Sequence, residues 1–217
     1  MKIKDIEVLD LNMDEDSVDL KLEFPQDGPT SVFCKEKEEE VVDWKQELKS
    51  WGITLAMTVV LVVVLKNFII INAAVPTGSM ENTILPGDNI LGLRIAYMME
   101  EPQRGDVIFF YFPDDESQKY VKRIIGLPGE TITIIDGKIY IGDATIPLEE
   151  PYLKEEWIRG TGPYVFKVPD GCYFVLGDNR NNSADARYWR NTYVTKEKII
   201  AKAVFTYYPF NRMGVVE

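Results

Sequence analysis

Residues 51–75 read WGITLAMTVVLVVVLKNFIIINAAV. From Trp51 to Leu65 the run carries no charge. With Lys66 near its far end it reaches about 20 residues, enough to cross a hydrocarbon core of about 30 Å. Its valines would suit a strand, but the run is too long for one. A buried core helix is the alternative. Lys66 can extend its ammonium to the headgroups while Trp51 suits the opposite interface. A cleavable leader would start near the N-terminus behind a short basic region. Here residues 1–50 come first, with 15 Asp and Glu against 7 Lys, so the run reads as a retained anchor. Lys45 and Lys49 precede it and Lys66 and Arg94 follow, a slight lean to a cytoplasmic N-terminus and an extracytoplasmic C-terminal part.

Upstream, residues 1–36 are acidic, with patchy alternation such as VDLKLEF, and read as a cytoplasmic segment. Residues 37–50, KEEEVVDWKQELKS, have a helical pattern. Trp44, Leu48 and Trp51 fall at i, i+4 and i+7, so one apolar stripe could run into the membrane helix. A solvated charged helix fits equally well. Residues 37–70 are therefore expected to form a juxtamembrane and transmembrane helix.

Downstream, in residues 71–217, the texture changes. DVIFFYF, KYVKRIIGL, ETITII, KIYIG, YVFKV, CYFVLG and IIAKAVFTYYPF are short β-rich runs separated by turn signals. ETITII and KIYIG flank Asp136-Gly137, a hairpin signal, because both central residues of a type I′ turn need positive φ. Helical periodicity is scarce. The expected architecture is an all-β domain of twisted, mostly antiparallel sheets behind a single N-terminal transmembrane helix.

The net charge of −11 over 217 residues includes no basic patch to neutralise phosphates, which argues against nucleic-acid binding. The two cysteines, Cys34 and Cys172, would lie on opposite sides of the membrane and read as small buried residues. Their spacing and the lack of histidine leave no metal or cofactor site to expect.

The absence of histidine also excludes a Ser-His-Asp hydrolase. A serine nucleophile would need another base. Lysine serves only when neutral, and at its usual pKa about one molecule in a few thousand is neutral at pH 7. Burial in apolar surroundings can lower that pKa by several units. Lys122 sits in such a stretch, KYVKRIIGL. On a strand, Tyr120, Lys122 and Ile124 share one face, and Val121, Arg123 and Ile125 the other. On this pattern alone Lys122 could equally be a surface lysine of an edge strand.

The blocks PTGSMENTI, LPGDNIL, RGDVIFF, YVKRIIGLPGE and GDNRNNSADAR follow the apolar run in order. Together they resemble the type I signal peptidases, membrane-anchored Ser-Lys proteases, over residues 45 to 212. The resemblance implies Ser79 as nucleophile and Lys122 as general base, with Ser183 orienting the lysine amine. It implies an oxyanion hole built from the Ser79 N–H and the Thr77 hydroxyl. It implies the ion pairs Arg123 with Asp178 and Asp185 with Arg187 as structural support. Asp88 reads as a turn residue. Three positions depart from the family pattern and bear on loop shape and substrate preference: Asn82 for a frequent proline, Ala186 for a frequent serine, Arg190 for a frequent glycine.

The implied partners are the signal peptides of secreted preproteins, cut after small residues in an Ala-x-Ala pattern, and the lipid bilayer. The implied location is the cell membrane. The strand leading to Ser79 and the one ending at Lys122 would flank the substrate, with Val75, Met80 and Val121 as pocket walls. Few residues separate the apolar run from Ser79, so the nucleophile would lie close to the outer leaflet. Tyr97, Met98 and Met99 are candidates for interface contact, with core packing as the alternative. Two other readings stand beside this one. A self-cleaving Ser-Lys repressor is opposed by the anchor. A catalytically inactive membrane-tethered β-domain that binds secreted proteins is opposed by the presence of both Ser79 and Lys122.

Overall fold

The computed structural model describes residues 43–217; the acidic segment 1–36, the start of the helix expected from residue 37, and Cys34 lie outside the described residues. Helix α1 spans Trp44–Val64, and its last turn widens into a π-helical turn at Leu65–Ile69. Together they form a 26-residue helix of mean hydropathy 2.2, long and apolar enough to cross a membrane. Its side chains face outward: Trp44, Leu48 and Trp51 are 74%, 68% and 71% exposed, so the apolar stripe meets no protein partner among the described residues. Valine is a modest helix former in water. In lipid every backbone group must be paired within the segment, and a helix does this. The Thr54 and Thr58 hydroxyls follow the same rule by donating to the carbonyls of Ser50 and Thr54.

No linker separates the helix from the sheet. The Ile70 N–H donates to Leu65 O, and strand β1 (Ile70–Ala74) begins at once. The remaining strands are β2 (Asn89–Leu93), β3 (Val107–Tyr111), β4 (Lys119–Gly126), β5 (Thr131–Ile135), β6 (Lys138–Ile141), β7 (Tyr164–Lys167), β8 (Cys172–Leu176), β9 (Val194–Thr195), β10 (Ile199–Tyr208) and β11 (Gly214–Val215). An eight-stranded sheet runs in the order β1-β2-β10-β3-β4-β8-β9, with β11 also on β10, and a three-stranded sheet runs β6-β5-β7. Every ladder is antiparallel. Asp136 and Gly137 turn the β5–β6 hairpin with φ of 48° and 72°, the mirror-image conformation that matches the twist of the strands.

Two apolar clusters hold the domain together. One joins Ile132, Ile134 and Ile139 of the small sheet to Ile108, Phe110, Ile124 and Phe174 of the large one. The other packs Ile71, Val75, Met80, Ile84 and Ile90 against Phe109 and Ala201. Two of the open backbone edges of the large sheet, among the described residues, lie on β1 and on the first half of β4. Among the described residues strand β1 pairs only with β2. Strand β4 pairs with β3 along Lys119–Arg123, but β8 joins its other side only from Arg123 onward. Among the described residues Lys119–Lys122 therefore keeps a free backbone edge.

Candidate active site

Ser79 and Lys122 come from distant parts of the chain. Ser79 lies in the 3-10 turn Gly78–Met80 just beyond β1. Hydrogen bonds from Val75 N to Asp88 O and from Gly87 N to Val75 O, both 2.8 Å, fix the start of that turn. Lys122 stands at the last position of β4 before β8 joins, opposite Ile108. Lys122 Nζ lies 2.7 Å from Ser79 Oγ and 3.0 Å from the Val121 carbonyl. Both residues are buried, Ser79 at 9% exposure and Lys122 at 4%. Burial lowers the lysine pKa to about 8, against the upward pull of Asp185 and Asp178. That shift raises the neutral fraction at pH 7 to about one in ten. The neutral amine can accept the serine proton, so the pair can generate an alkoxide-like nucleophile without histidine.

Asn179 secures the nucleophile's turn. Its main-chain N–H donates to Ser79 O at 3.1 Å, and its side-chain Nδ2 donates to Gly78 O at 2.9 Å. Gly177 leaves room for this approach: a Cβ there would sit 2.3 Å from Ser183 Oγ and 2.4 Å from Ser79 O. Asn82 takes φ 92° and donates from Nδ2 to Tyr152 O at 3.1 Å. A proline, fixed near −65°, could not adopt this conformation, so the departure at residue 82 goes with a differently shaped turn.

The anticipated supporting residues come together. Arg123 reaches Asp178 through Nε at 2.9 Å and Nη2 at 2.7 Å, and Thr83 donates its hydroxyl to the same carboxylate at 2.5 Å. Arg187 is likewise bidentate to Asp185, at 2.7 and 2.9 Å, and Asp185 also accepts from Gly177 N. Asp88 stays outside the centre: it caps the turn at Leu85 N and pairs with Arg212. Ser183 departs from expectation. Its Oγ is buried against Gly177 without a hydrogen-bond partner among the described residues, and the second contact of Lys122 is the Val121 carbonyl. Cys172 is half-buried rather than buried. Tyr97 donates its hydroxyl to Asp106, while Met98 is 79% exposed.

A groove of about 750 Å³ opens onto Ser79 and Lys122. Strand β1 and the free edge of β4 form its walls, and Val75, Thr77, Met80 and Val121 line it. Val75 and Met80 are themselves buried, Thr77 exposed. Paired free edges on either side of a nucleophile suit an extended peptide, which can hydrogen-bond to backbone on both flanks.

Sequence reasoning gave no role to a third buried pair, Arg180 with Glu150 at 2.6 Å, nor to Trp157, whose ring lies 4.9 Å from Arg180 and 5.0 Å from Arg187. Glu150 lies 30 residues from Arg180 in a stretch without periodicity, so only the Asn179-Arg180 segment of the GDNR block carried any signal.

Comparison with known proteins gives a consistent picture. The profile described as signal peptidase, peptidase S26, matches residues 48–208. Signal peptidase I of Leptolyngbya laminosa is 36% identical over 168 residues, covering 74% of this chain and 80% of that protein. Signal peptidase I S of Bacillus subtilis (strain 168) is 34% identical over 185 residues, covering 80% of this chain and 96% of its own. A crystal structure of a signal peptidase I from Enterococcus faecalis V583 shares 34% identity over 48% of this chain and 97% of its own, with a TM-score of 0.40.

Proposed function

This chain belongs to the signal peptidase family, peptidase S26, and from that premise we propose that Ser79 and Lys122 perform its reaction. The protein is a membrane-anchored serine endopeptidase that removes signal peptides from preproteins. The observation that carries the assignment of the dyad is the 2.7 Å contact between a buried lysine amine and a serine hydroxyl at the floor of the groove.

In this reading the preprotein lies extended between β1 and the free edge of β4. Small residues at −1 and −3 fit the walls made by Val75, Met80 and Val121. Ser79 Oγ–H passes its proton to neutral Lys122 Nζ as the oxygen attacks the scissile carbonyl. The Ser79 N–H and the Thr77 hydroxyl receive the oxyanion, a role in which one donor is worth about 3–4 kcal/mol. Protonated Lys122 then gives its proton to the departing amine, leaving an acyl-enzyme on Ser79. A water, deprotonated by Lys122 Nζ, attacks the ester carbonyl, and the lysine returns that proton to Ser79 Oγ as the signal peptide leaves. Ser183 closes the back of the site beside Gly177. The pairs Arg123–Asp178 and Asp185–Arg187 hold the walls.

The anchor sets the geography: residues 1–36 on the cytoplasmic side, a helix through the bilayer, and residues 71–217 on the outer side. There the cleavage site of an exported preprotein emerges. Lipid headgroups are the second partner, met by Lys66.

The direct test is incubation of the detergent-purified protein with a preprotein carrying Ala-x-Ala. Wild type releases mature protein, whereas Ser79→Ala and Lys122→Ala lose at least about 10³-fold in rate. Normal cutting by both variants would refute the dyad. Cutting by none of the three would favour the inactive binding domain.

A further inference from the structure

The segment 142–163 between β6 and β7 contains no regular secondary structure, yet it lies against the machinery around Ser79. Connections of this length in a compact domain usually carry a function of their own. Tyr152 is its node. Its carbonyl accepts from Asn82 Nδ2, three residues beyond the nucleophile. Its hydroxyl donates to Glu150 Oε1 at 2.8 Å, the oxygen that also receives Arg180 Nη2. Its ring lies face-on to Arg123, with Cζ 4.0 Å from the centroid. One half-buried residue thus joins the nucleophile's turn, through its carbonyl, to the buried Arg123 guanidinium, through its ring, and to the Glu150 carboxylate that receives Arg180. Its neighbour Lys154 pairs with Glu81, tying the segment to the same turn.

We propose that Tyr152 is a positioning residue for catalysis, holding Arg123 on Asp178 and so keeping Lys122 able to act as a base. The proposal rests on the Ser79–Lys122 reading above and extends it to a residue that touches neither group.

The chain of effect is electrostatic. Lys122 faces Ser79, the Val121 carbonyl, the Tyr120 ring at 5.6 Å, and the fields of Asp185 and Asp178. Each of those carboxylates is neutralised by a buried arginine, Arg187 and Arg123. Tyr152 covers the outer face of Arg123, where a cation over an aromatic ring is attracted and kept from water. Arg180 and Glu150 are the other charges facing Tyr152, and burial together with Glu150 pushes its phenol pKa up, so the hydroxyl remains a donor. Without the ring, Arg123 gains water and loosens from Asp178. More of the Asp178 field then reaches Lys122, water enters beside it, and both changes favour the protonated amine.

The test uses the full chain in detergent, cleaving an Ala-x-Ala preprotein across a pH series. Tyr152→Leu is expected to lower kcat at pH 7 by about ten-fold with KM changed less than about two-fold, and to move the midpoint of the acid limb upward by about one pH unit. Tyr152→Phe, which keeps the ring, retains the wild-type midpoint. Should Tyr152→Leu not be recovered folded, Tyr152→Met fills the space without a π face and carries the same expectation. An unmoved midpoint in the Leu or Met variant, even with activity lost in proportion to folded protein, overturns the inference, as does a Phe variant whose midpoint moves with the Leu one. Absence of cleavage by the wild type at every pH overturns the functional reading instead.

Discussion

Asn179 donates to the carbonyls on both sides of the bond that joins Gly78 to Ser79, from its side chain to Gly78 and from its main chain to Ser79. One residue thereby fixes the peptide plane that delivers the nucleophile. Asn179→Ala removes the side-chain bond and leaves the main-chain one. A buried hydrogen bond is worth about 1 kcal/mol net, more when its partner is left unsatisfied. The expected result is a fall in kcat of about ten-fold with a fall in Tm of a few degrees, measured by preprotein cleavage and thermal unfolding.

Gly177→Ala tests the same turn from the other side. The added methyl would meet the Ser79 carbonyl and the Ser183 hydroxyl at well under contact distance. Ser79 carries the nucleophile on that strand of contacts, and a displacement of about 1 Å can cost about 10²-fold in rate. Cleavage is expected to fall by about that factor. A wild-type rate would show that the turn yields freely.

Lys122 links activity to stability through pH. Only its neutral form accepts the serine proton, so cleavage should decline below a midpoint near pH 8, set by the lysine pKa of about 8. Because folding lowers this pKa, the native state must hold a buried charge whenever the pH is below about 8, and this destabilisation fades as the pH rises toward the unfolded value. Lys122→Met should therefore abolish cleavage while raising stability by roughly 3 kcal/mol below pH 8, with the gain vanishing above about pH 10.5. Denaturant unfolding at pH 6 and pH 10 reads the difference.

Asp185 and Arg187 are both buried, with side chains fully enclosed. Asp185→Asn alone leaves an uncompensated guanidinium and should cost about 3–5 kcal/mol. The double change Asp185→Leu with Arg187→Met should recover most of that loss in a thermal melt, yet not restore wild-type cleavage, because Gly177 N and Arg180 O lose their partners beside the nucleophile's turn. Recovery of full activity would show that the pair acts on fold alone.

Much of the β-domain is legible in the sequence because its strands are short, β-branched and bounded by Gly, Pro or Asp-Gly signals. The seven β-rich runs each became a strand. A strand before Ser79 follows from the family resemblance and not from local pattern: Ile70 and Ile71 continue the apolar run, no composition change marks where helix gives way to sheet, and β1 lies at Ile70–Ala74. Strand β2, NILGL, was hidden by Gly92, which is required because a Cβ there would meet Phe109 at 2.6 Å. At the site, alternation along β4 placed Lys122 and Arg123 on opposite faces, and they serve separate partners, Ser79 and Asp178. Periodicity cannot bring Glu150 to Arg180 or Tyr152 to Arg123. Those contacts depend on the path of an irregular segment, which local pattern does not encode.

The junction between anchor and sheet is direct: Ile69 ends the helix, Ile70 starts β1, and hydrogen bonds from Ile70 N to Leu65 O and from Arg94 N to Ile69 O brace the join. Such a coupling works as a depth gauge. A residue inserted in the helix would turn it by about 100° and lift the groove by about 1.5 Å relative to the helix's start, so on the reading proposed above the scissile position would be set by distance from the bilayer as well as by side chains.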